Sequence, residues 1–196
     1  PETATAILDS LDIQIIGVNC SYGPEFMTSI IADYYKTSGK YISVKPNAGL
    51  PILENNKLTY SMSADHFCDN IGNLVKAGAN IIGGCCGTTP EYLKLLTKYK
   101  KILPKPRIKD KSKLYLTSRS KIVKCGTDYP LRIIGERINP TAKKDLIAEL
   151  SEGKMFLVKK YALEQMHYGA DLLDVNVGIP GGDEPTLLKT AVEHLT

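Results

Sequence analysis

The chain has 196 residues, a formal net charge of +4, 43% apolar residues and five cysteines. That length fits one domain or two small ones, and the apolar share supports a buried core. A charge this mild does not argue for nucleic acid, no apolar run approaches a membrane span, and the clustered cysteines argue for a reducing cytoplasmic setting over a disulfide scaffold.

Apolar residues at helical spacing, Ala6, Ile7 and Leu11, predict a helix over residues 3–11. Ile13 to Val18 reads as a short buried strand that runs into Asn19-Cys20-Ser21. Gly23-Pro24 opens a helix with Met27, Ile30, Ile31, Tyr34 and Tyr35 on one face, closed near Gly39. Tyr41 to Lys45 is the next strand, and a loop from Pro46 to Pro51 follows. Ser63 caps a helix that buries Phe67, Ile71, Leu74 and Val75 and ends at Gly78. Asn80-Ile81-Ile82 then leads into Gly83-Gly84-Cys85-Cys86-Gly87-Thr88-Thr89-Pro90. Thr89 suits an N-cap and Pro90 a first helical position, so a helix runs on to Tyr99.

Strand–helix units in succession argue for a parallel sheet. The thiols of Cys20, Cys85 and Cys86 then stand at C-terminal strand ends, which is where barrel enzymes place their chemistry. Three cysteines at one site leave a zinc with an open fourth position, the catalytic pattern. The plainer alternative is that these are small buried hydrophobes. Cys68, inside a helix pattern, and Cys125 read as structural thiols. His66, His167 and His194 lie on helices away from the strand ends and are not read as ligands.

From Lys98 to Lys124 the composition turns basic. Lys100, Lys101, Lys105, Arg107, Lys109, Lys111, Lys113, Arg119, Lys121 and Lys124 surround Pro104 and Pro106. A charged, proline-rich stretch of this kind reads as a solvated interdomain linker, with a phosphate-binding patch as the alternative. Leu114 to Leu116 and Ile122-Val123 are short strands beside it.

The second half opens on the strand Arg132 to Asn139. Thr141 caps a short helix through Leu150. A longer helix follows from Lys154 to Tyr168, with Met155, Val158, Ala162 and Met166 in line. Leu172 to Gly178 is another strand, and Asp183 or a neighbour of it caps a last helix with Leu187, Leu188, Ala191, Val192 and Leu195 inward. Glu136, Asn139, Asp174 and Asn176 stand at the strand ends. Carboxylates and amides there match the donor and acceptor edges of an aminopyrimidinone ring. The alternative makes Glu136 and Asp174 ion-pair partners of Arg132 or Arg137.

Two resemblances add to this reading. Asn19-Cys20-Ser21, the segment Val44 to Pro51, and Gly83 to Pro90, with Cys20 lying 65 positions before Cys85, resemble the homocysteine S-methyltransferase domain. The resemblance implies a (β/α)8 barrel, a zinc ion on Cys20, Cys85 and Cys86, and homocysteine sulfur at the open position. Glu136 to Pro140, Gly169 to Asn176 and Gly178 to Leu188 resemble the pterin-binding domains of the methyltetrahydrofolate:corrinoid methyltransferases. That implies a second barrel, with pterin contacts from Glu136, Asn139, Asp174 and Asn176.

The tandem order resembles the cobalamin-dependent methionine synthases. It implies parts of two TIM barrels: residues 1–103 from the zinc domain, a basic linker over 104–129, and the start of the pterin domain over 130–196. The implied cofactors are zinc, methylcobalamin bound by a domain beyond this chain, and methyltetrahydrofolate as methyl donor. No catalytic proton donor is assigned. A start at Pro1, in mid-pattern, reads as a fragment. The alternatives are a corrinoid/folate-dependent methyltransferase with another thiol acceptor, or a non-catalytic truncated zinc-binding module.

Overall fold

The structure is a computed structural model describing residues 1–54, 56–102, 110, 112–118 and 120–196. The chain divides into two units, Pro1–Lys111 and Ser112–Thr196. Of the basic stretch, Pro104, Lys105, Pro106, Arg107, Lys109, Lys111 and Arg119 lie outside the described residues.

The first unit begins with helix α1 (Glu2–Asp9), then strand β1 (Ile15–Asn19), helix α2 (Pro24–Thr37) and strand β2 (Tyr41–Lys45). A hairpin of β3 (Pro51–Glu54) and β4 (Lys57–Tyr60) precedes α3 (Ala64–Ala77), the two-residue strand β5 (Ile81–Ile82) and α4 (Pro90–Leu96). A short 3-10 helix, Thr97–Lys101, follows it.

β1, β2 and β5 form one parallel sheet with β2 in the centre. Val18 pairs with Val44, and Val44 with Ile82, so the three strands end level with one another. Ile42 and Val44 alternate inward from β2 and meet Met27, Ile31 and Tyr34 of α2 and Phe67, Ile71 and Leu74 of α3. Burying this set supplies the unit's main driving force, at about 25 cal/mol per Å² of apolar surface. Ile15 and Ile81, by contrast, stay exposed.

α3 starts where Ser63 Oγ accepts the His66 N–H at 3.3 Å, and it stops at Gly78, whose φ is 126°. Cys68 is buried in the core, as a structural thiol should be. Two expectations for α1 need correction: Ile7 and Leu11 are exposed, and Thr5 is the buried residue. The helix ends at Asp9, so Leu11 lies past it and the inward face runs through Thr5 and Leu8. Thr89 occupies the N-cap position of α4 without a side-chain cap bond.

The second unit starts with the antiparallel hairpin β6 (Lys113–Thr117) and β7 (Ile122–Gly126). Then come β8 (Ile134–Ile138), α5 (Lys144–Ser151), α6 (Phe156–His167), β9 (Leu172–Val175) and α7 (Glu184–Leu195). β8 and β9 pair in parallel, with a register shift between Gly135 and Ile138. Ile138, Leu146, Leu150, Val158, Ala162, Val177 and Ala191 make the core.

Asp183 caps α7 as expected, accepting the Thr186 N–H at 3.4 Å. Thr141 caps nothing. Asn139 Oδ1 takes the Thr141 N–H, which holds the chain in a turn, and α5 starts after Lys143. Met166, Leu188 and Val192 are exposed, against expectation. α7 turns a narrow stripe inward, Leu187, Ala191 and Leu195, spaced four apart.

No helix among the described residues is long and apolar enough to cross a membrane.

Candidate metal centre and polar strand ends

The level strand ends of the first unit bring three loops side by side. Cys20 follows β1, Pro46-Asn47-Ala48 follows β2, and Cys85-Cys86 follows β5. The central loop ties the outer two together through its backbone. Cys20 N–H donates to the Lys45 carbonyl at 2.9 Å, Cys85 N–H to the Pro46 carbonyl at 2.8 Å, and Ala48 N–H to the Cys86 carbonyl at 2.9 Å. Asn47, almost wholly buried, accepts the Cys86 N–H on its Oδ1 at 3.2 Å.

The backbone bends hard here. Cys20 and Ser21 both take left-handed conformations, with φ of 62° and 68°. Such a conformation costs a residue with a Cβ about 1–2 kcal/mol, and strain of this kind collects at functional sites. The bend lets Tyr22 N–H bond the Cys20 carbonyl at 2.8 Å and sets the Ser21 N–H against the Cys20 thiol. Gly87, at φ 78°, serves the same purpose after Cys86, and a Cβ there would overlap the Tyr60 side chain.

Cys20 Sγ lies 3.7 Å from Cys86 Sγ, and Cys85 Sγ lies 3.9 Å from Cys86 Sγ. All three sulfurs fall within 4.8 Å of one another. A tetrahedral zinc with bonds of about 2.3 Å sets its sulfurs about 3.8 Å apart, so the cluster has the dimensions of three corners of that polyhedron. Among the described residues this is the one such group of histidine, cysteine or acidic side chains. All three thiols are free.

Their acidities differ for clear reasons. The Cys20 thiol is pulled below its ordinary value, first by the Ser21 N–H, then by the Cys85 and Cys86 thiols, with a smaller contribution from Asn47. Burial pushes the Cys85 thiol up, and its two neighbours add to that. The Tyr60 hydroxyl is held above its usual value, mainly because it keeps its proton in a hydrogen bond to Cys86.

This geometry fits the comparisons with known proteins. Residues 1–99 match the profile of the family described as homocysteine S-methyltransferase. The chain belongs to the homocysteine S-methyltransferase family. It is also 27% identical over 197 aligned positions to the methionine synthase of Mycobacterium tuberculosis, and 28% identical over 207 to that of Mycobacterium leprae. Both alignments cover 98% of this chain, which spans 16% of the length of each relative.

The second unit brings two of its four expected residues to one cavity. Glu136 and Asp174 line an open space of about 470 Å³ together with Leu116, Ile134, Leu172 and Leu173. Asn139 Nδ2 donates to Glu136 Oε1 at 2.7 Å, while its Oδ1 is taken by the Thr141 N–H. Asn176 Oδ1 accepts the Gly178 N–H at 2.9 Å and shapes the loop after β9.

The arginines go elsewhere. Arg132 pairs with Asp171 at 3.4 Å, and Arg137 Nε lies 4.0 Å from Glu164 with its guanidinium over the Tyr161 ring. The alternative in which Glu136 and Asp174 serve as their ion-pair partners therefore does not hold.

Asn47 and Tyr60 were not singled out in the sequence as site residues. For Asn47 a signal existed, an amide directly after a strand in the loop between two thiol loops. Tyr60 had none, because the hairpin that carries it has no clear alternation.

Proposed function

We propose that the first unit is the zinc-binding, homocysteine-activating part of a methionine synthase, with Cys20, Cys85 and Cys86 as the metal ligands. The observation that carries this reading is the sulfur spacing of 3.7 Å and 3.9 Å at level strand ends. A zinc ion held there supplies a Lewis-acid position where a thiol gives up its proton near neutral pH.

The chain's own groups prepare that position. The Ser21 N–H and the Asn47 amide favour the thiolate of Cys20. The loop at Pro46 to Ala48 holds the two thiol loops at fixed separation. Cys86 is exposed, which leaves the mouth of the site open to a small thiol such as homocysteine.

The complete reaction moves a methyl group from methyltetrahydrofolate to homocysteine, giving methionine and tetrahydrofolate. Cobalamin carries the methyl group and is bound by another part of the complete protein. Residues 130–196 open the pterin-binding barrel, where Glu136, Asn139, Asp174 and Asn176 contact the pterin. Residues 1–103 belong to the zinc barrel, and 104–129 join the two. The parallel order β1-β2-β5 and the exposed Ile15 and Ile81 support a larger barrel in the first half. The free thiols suit a reducing cytoplasm.

Metal analysis of the purified chain tests this. About one zinc per chain, lost in Cys20→Ser, is the expected result for a three-thiolate site. A folded wild-type chain that takes up no zinc from excess metal would overturn it.

A further inference from the structure

β8 carries one residue more than β9 across its register shift. Gly135 pairs with Leu173 and Ile138 with Val175, three steps along one strand against two along the other. An extra residue of this kind changes which way the following side chains point. Ile134 and Glu136 line the cavity of about 470 Å³. Regular alternation would send Ile138 to that side as well. Ile138 is instead fully buried in the core with Leu146, Leu150 and Val158. The shift therefore lets one strand give a carboxylate to the cavity and, two residues later, an anchor to the helices.

Arg137, inside the shifted stretch, has its backbone held by two side chains. Its N–H donates to Gln165 Oε1 at 2.7 Å, and its carbonyl accepts from Lys143 Nζ at 3.2 Å. Gln165 belongs to α6, where its Nε2 donates to the Tyr161 carbonyl at 3.1 Å and so turns the amide oxygen toward β8. A Cβ on Gly135 would lie 2.6 Å from that oxygen, so the close approach depends on glycine. Lys143 sits just before α5 and also bonds the Asn139 carbonyl at 2.9 Å. Asn139 Nδ2 in turn holds Glu136 Oε1 at 2.7 Å.

We propose that Gln165 and Lys143 are positioning residues of the binding site in the second unit: by fastening the Arg137 backbone they keep the extra residue of β8 in place and aim the Glu136 carboxylate into the cavity. The inference rests on the pterin reading above and adds two residues to it. Neither side chain is among those that line the cavity, so both act through Glu136. A carboxylate already held in direction loses less freedom when it accepts N–H groups from a pterin ring, which raises affinity without a new contact.

The test uses the full chain and two readouts: amide exchange at Arg137, followed by NMR, and affinity for methyltetrahydrofolate, measured by calorimetric titration. Gln165→Leu fills similar space without the acceptor. It should speed exchange at Arg137 and weaken binding roughly five- to tenfold, the scale of one intramolecular hydrogen bond. Gln165→Glu restores an acceptor oxygen and should recover most of both losses. Lys143→Met acts on the other side of Arg137, leaves α6 intact and should weaken binding to a similar degree.

Glu149→Ala separates positioning from general loosening, because it removes a side-chain bond to the Leu157 N–H at the start of α6 and none to β8. It should lower the unfolding temperature and leave both readouts in place. A folded Gln165→Leu protein with wild-type affinity overturns the proposal, and so does an equal loss of affinity in Glu149→Ala. A wild-type chain that protects the Arg137 amide yet binds no methyltetrahydrofolate overturns the pterin reading itself, an outcome distinct from a pterin site indifferent to Gln165 and Lys143.

Discussion

The side chain of Asn47 accepts the backbone N–H of Cys86 at 3.2 Å and also helps hold the Cys20 thiol below its ordinary pKa, so one buried amide acts on both halves of the thiol cluster. The arrangement uses the amide's two ends for two jobs. Its oxygen satisfies a backbone donor in the second thiol loop, and its N–H group supports a thiolate in the first.

Replacing Asn47 therefore separates the two jobs. Asn47→Ala leaves the Cys86 N–H without its acceptor, at a cost of about 1–3 kcal/mol. Thermal unfolding should show that loss, and chelator competition should show weaker zinc binding. Asn47→Asp keeps the acceptor but sets a carboxylate against the Cys20 thiolate. It should hold more of the stability than Asn47→Ala and still bind zinc poorly. Equal zinc affinity in Asn47→Asp and wild type would contradict the role assigned to the N–H group.

The metal-free thiols should react in a fixed order. The Cys20 thiol has a lowered pKa and the Cys85 thiol a raised one. At any pH below their ordinary value of 9.0 the thiolate fraction is therefore larger at Cys20, and the thiolate is the nucleophile. Alkylation at neutral pH, followed by peptide mass mapping, should mark Cys20 before Cys85. Raising the pH through that value should narrow the gap, because both then ionise. Added zinc should protect both. Faster labelling of Cys85 at neutral pH would reverse the assignment of Ser21 and burial as the governing causes.

Gly87→Ala probes the turn after the thiol pair. The φ of 78° costs an alanine about 1 kcal/mol or more, and the new Cβ meets Tyr60. The expected outcome is a drop in unfolding temperature together with weaker metal binding, since Tyr60 must leave its seat. A drop in temperature with unchanged metal affinity would show that only the backbone strain matters.

Much of this was legible in the residues. β1, α2, β2 and α3 could be read because apolar runs and a 3.6-residue period coincide with real start signals, Pro24 in the first turn of α2 and the Ser63 cap before α3. The thiol cluster was legible because Cys20 and the Cys85-Cys86 pair each follow an apolar strand, and parallel pairing with β2 aligns those ends. The hairpin of β3 and β4 was not legible. Ile52, Leu53 and Leu58 are all exposed, so no buried face imposes alternation. Asn56, at φ 59°, was its one signal, an asparagine in the left-handed region where hairpin turns place it. The inward stripe of α7 was read too wide, since spacing alone does not say how much of a helix its neighbours cover.

Asp174 and Arg132 give the sharpest contrast in the second unit. Asp174 lines the 470 Å³ cavity beside Glu136, and the arginines nearby are engaged with Asp171 and Glu164. A carboxylate placed this way is free to accept N–H groups from a pterin ring. Asp174→Ala should lower affinity for methyltetrahydrofolate by about tenfold or more, the loss of a hydrogen bond to a charged acceptor, with little change in stability. Arg132→Ala should do the opposite. It removes the bonds to the Lys124 carbonyl and to Asp171, neither of which involves Glu136 or Asp174. Stability should fall by about 1 kcal/mol, the scale of a partly exposed ion pair with one backbone bond, while pterin affinity holds. Calorimetric titration and thermal unfolding of the two variants read both quantities. If Asp174→Ala destabilises the unit and leaves affinity intact, the carboxylate is structural and the pterin assignment fails at that residue.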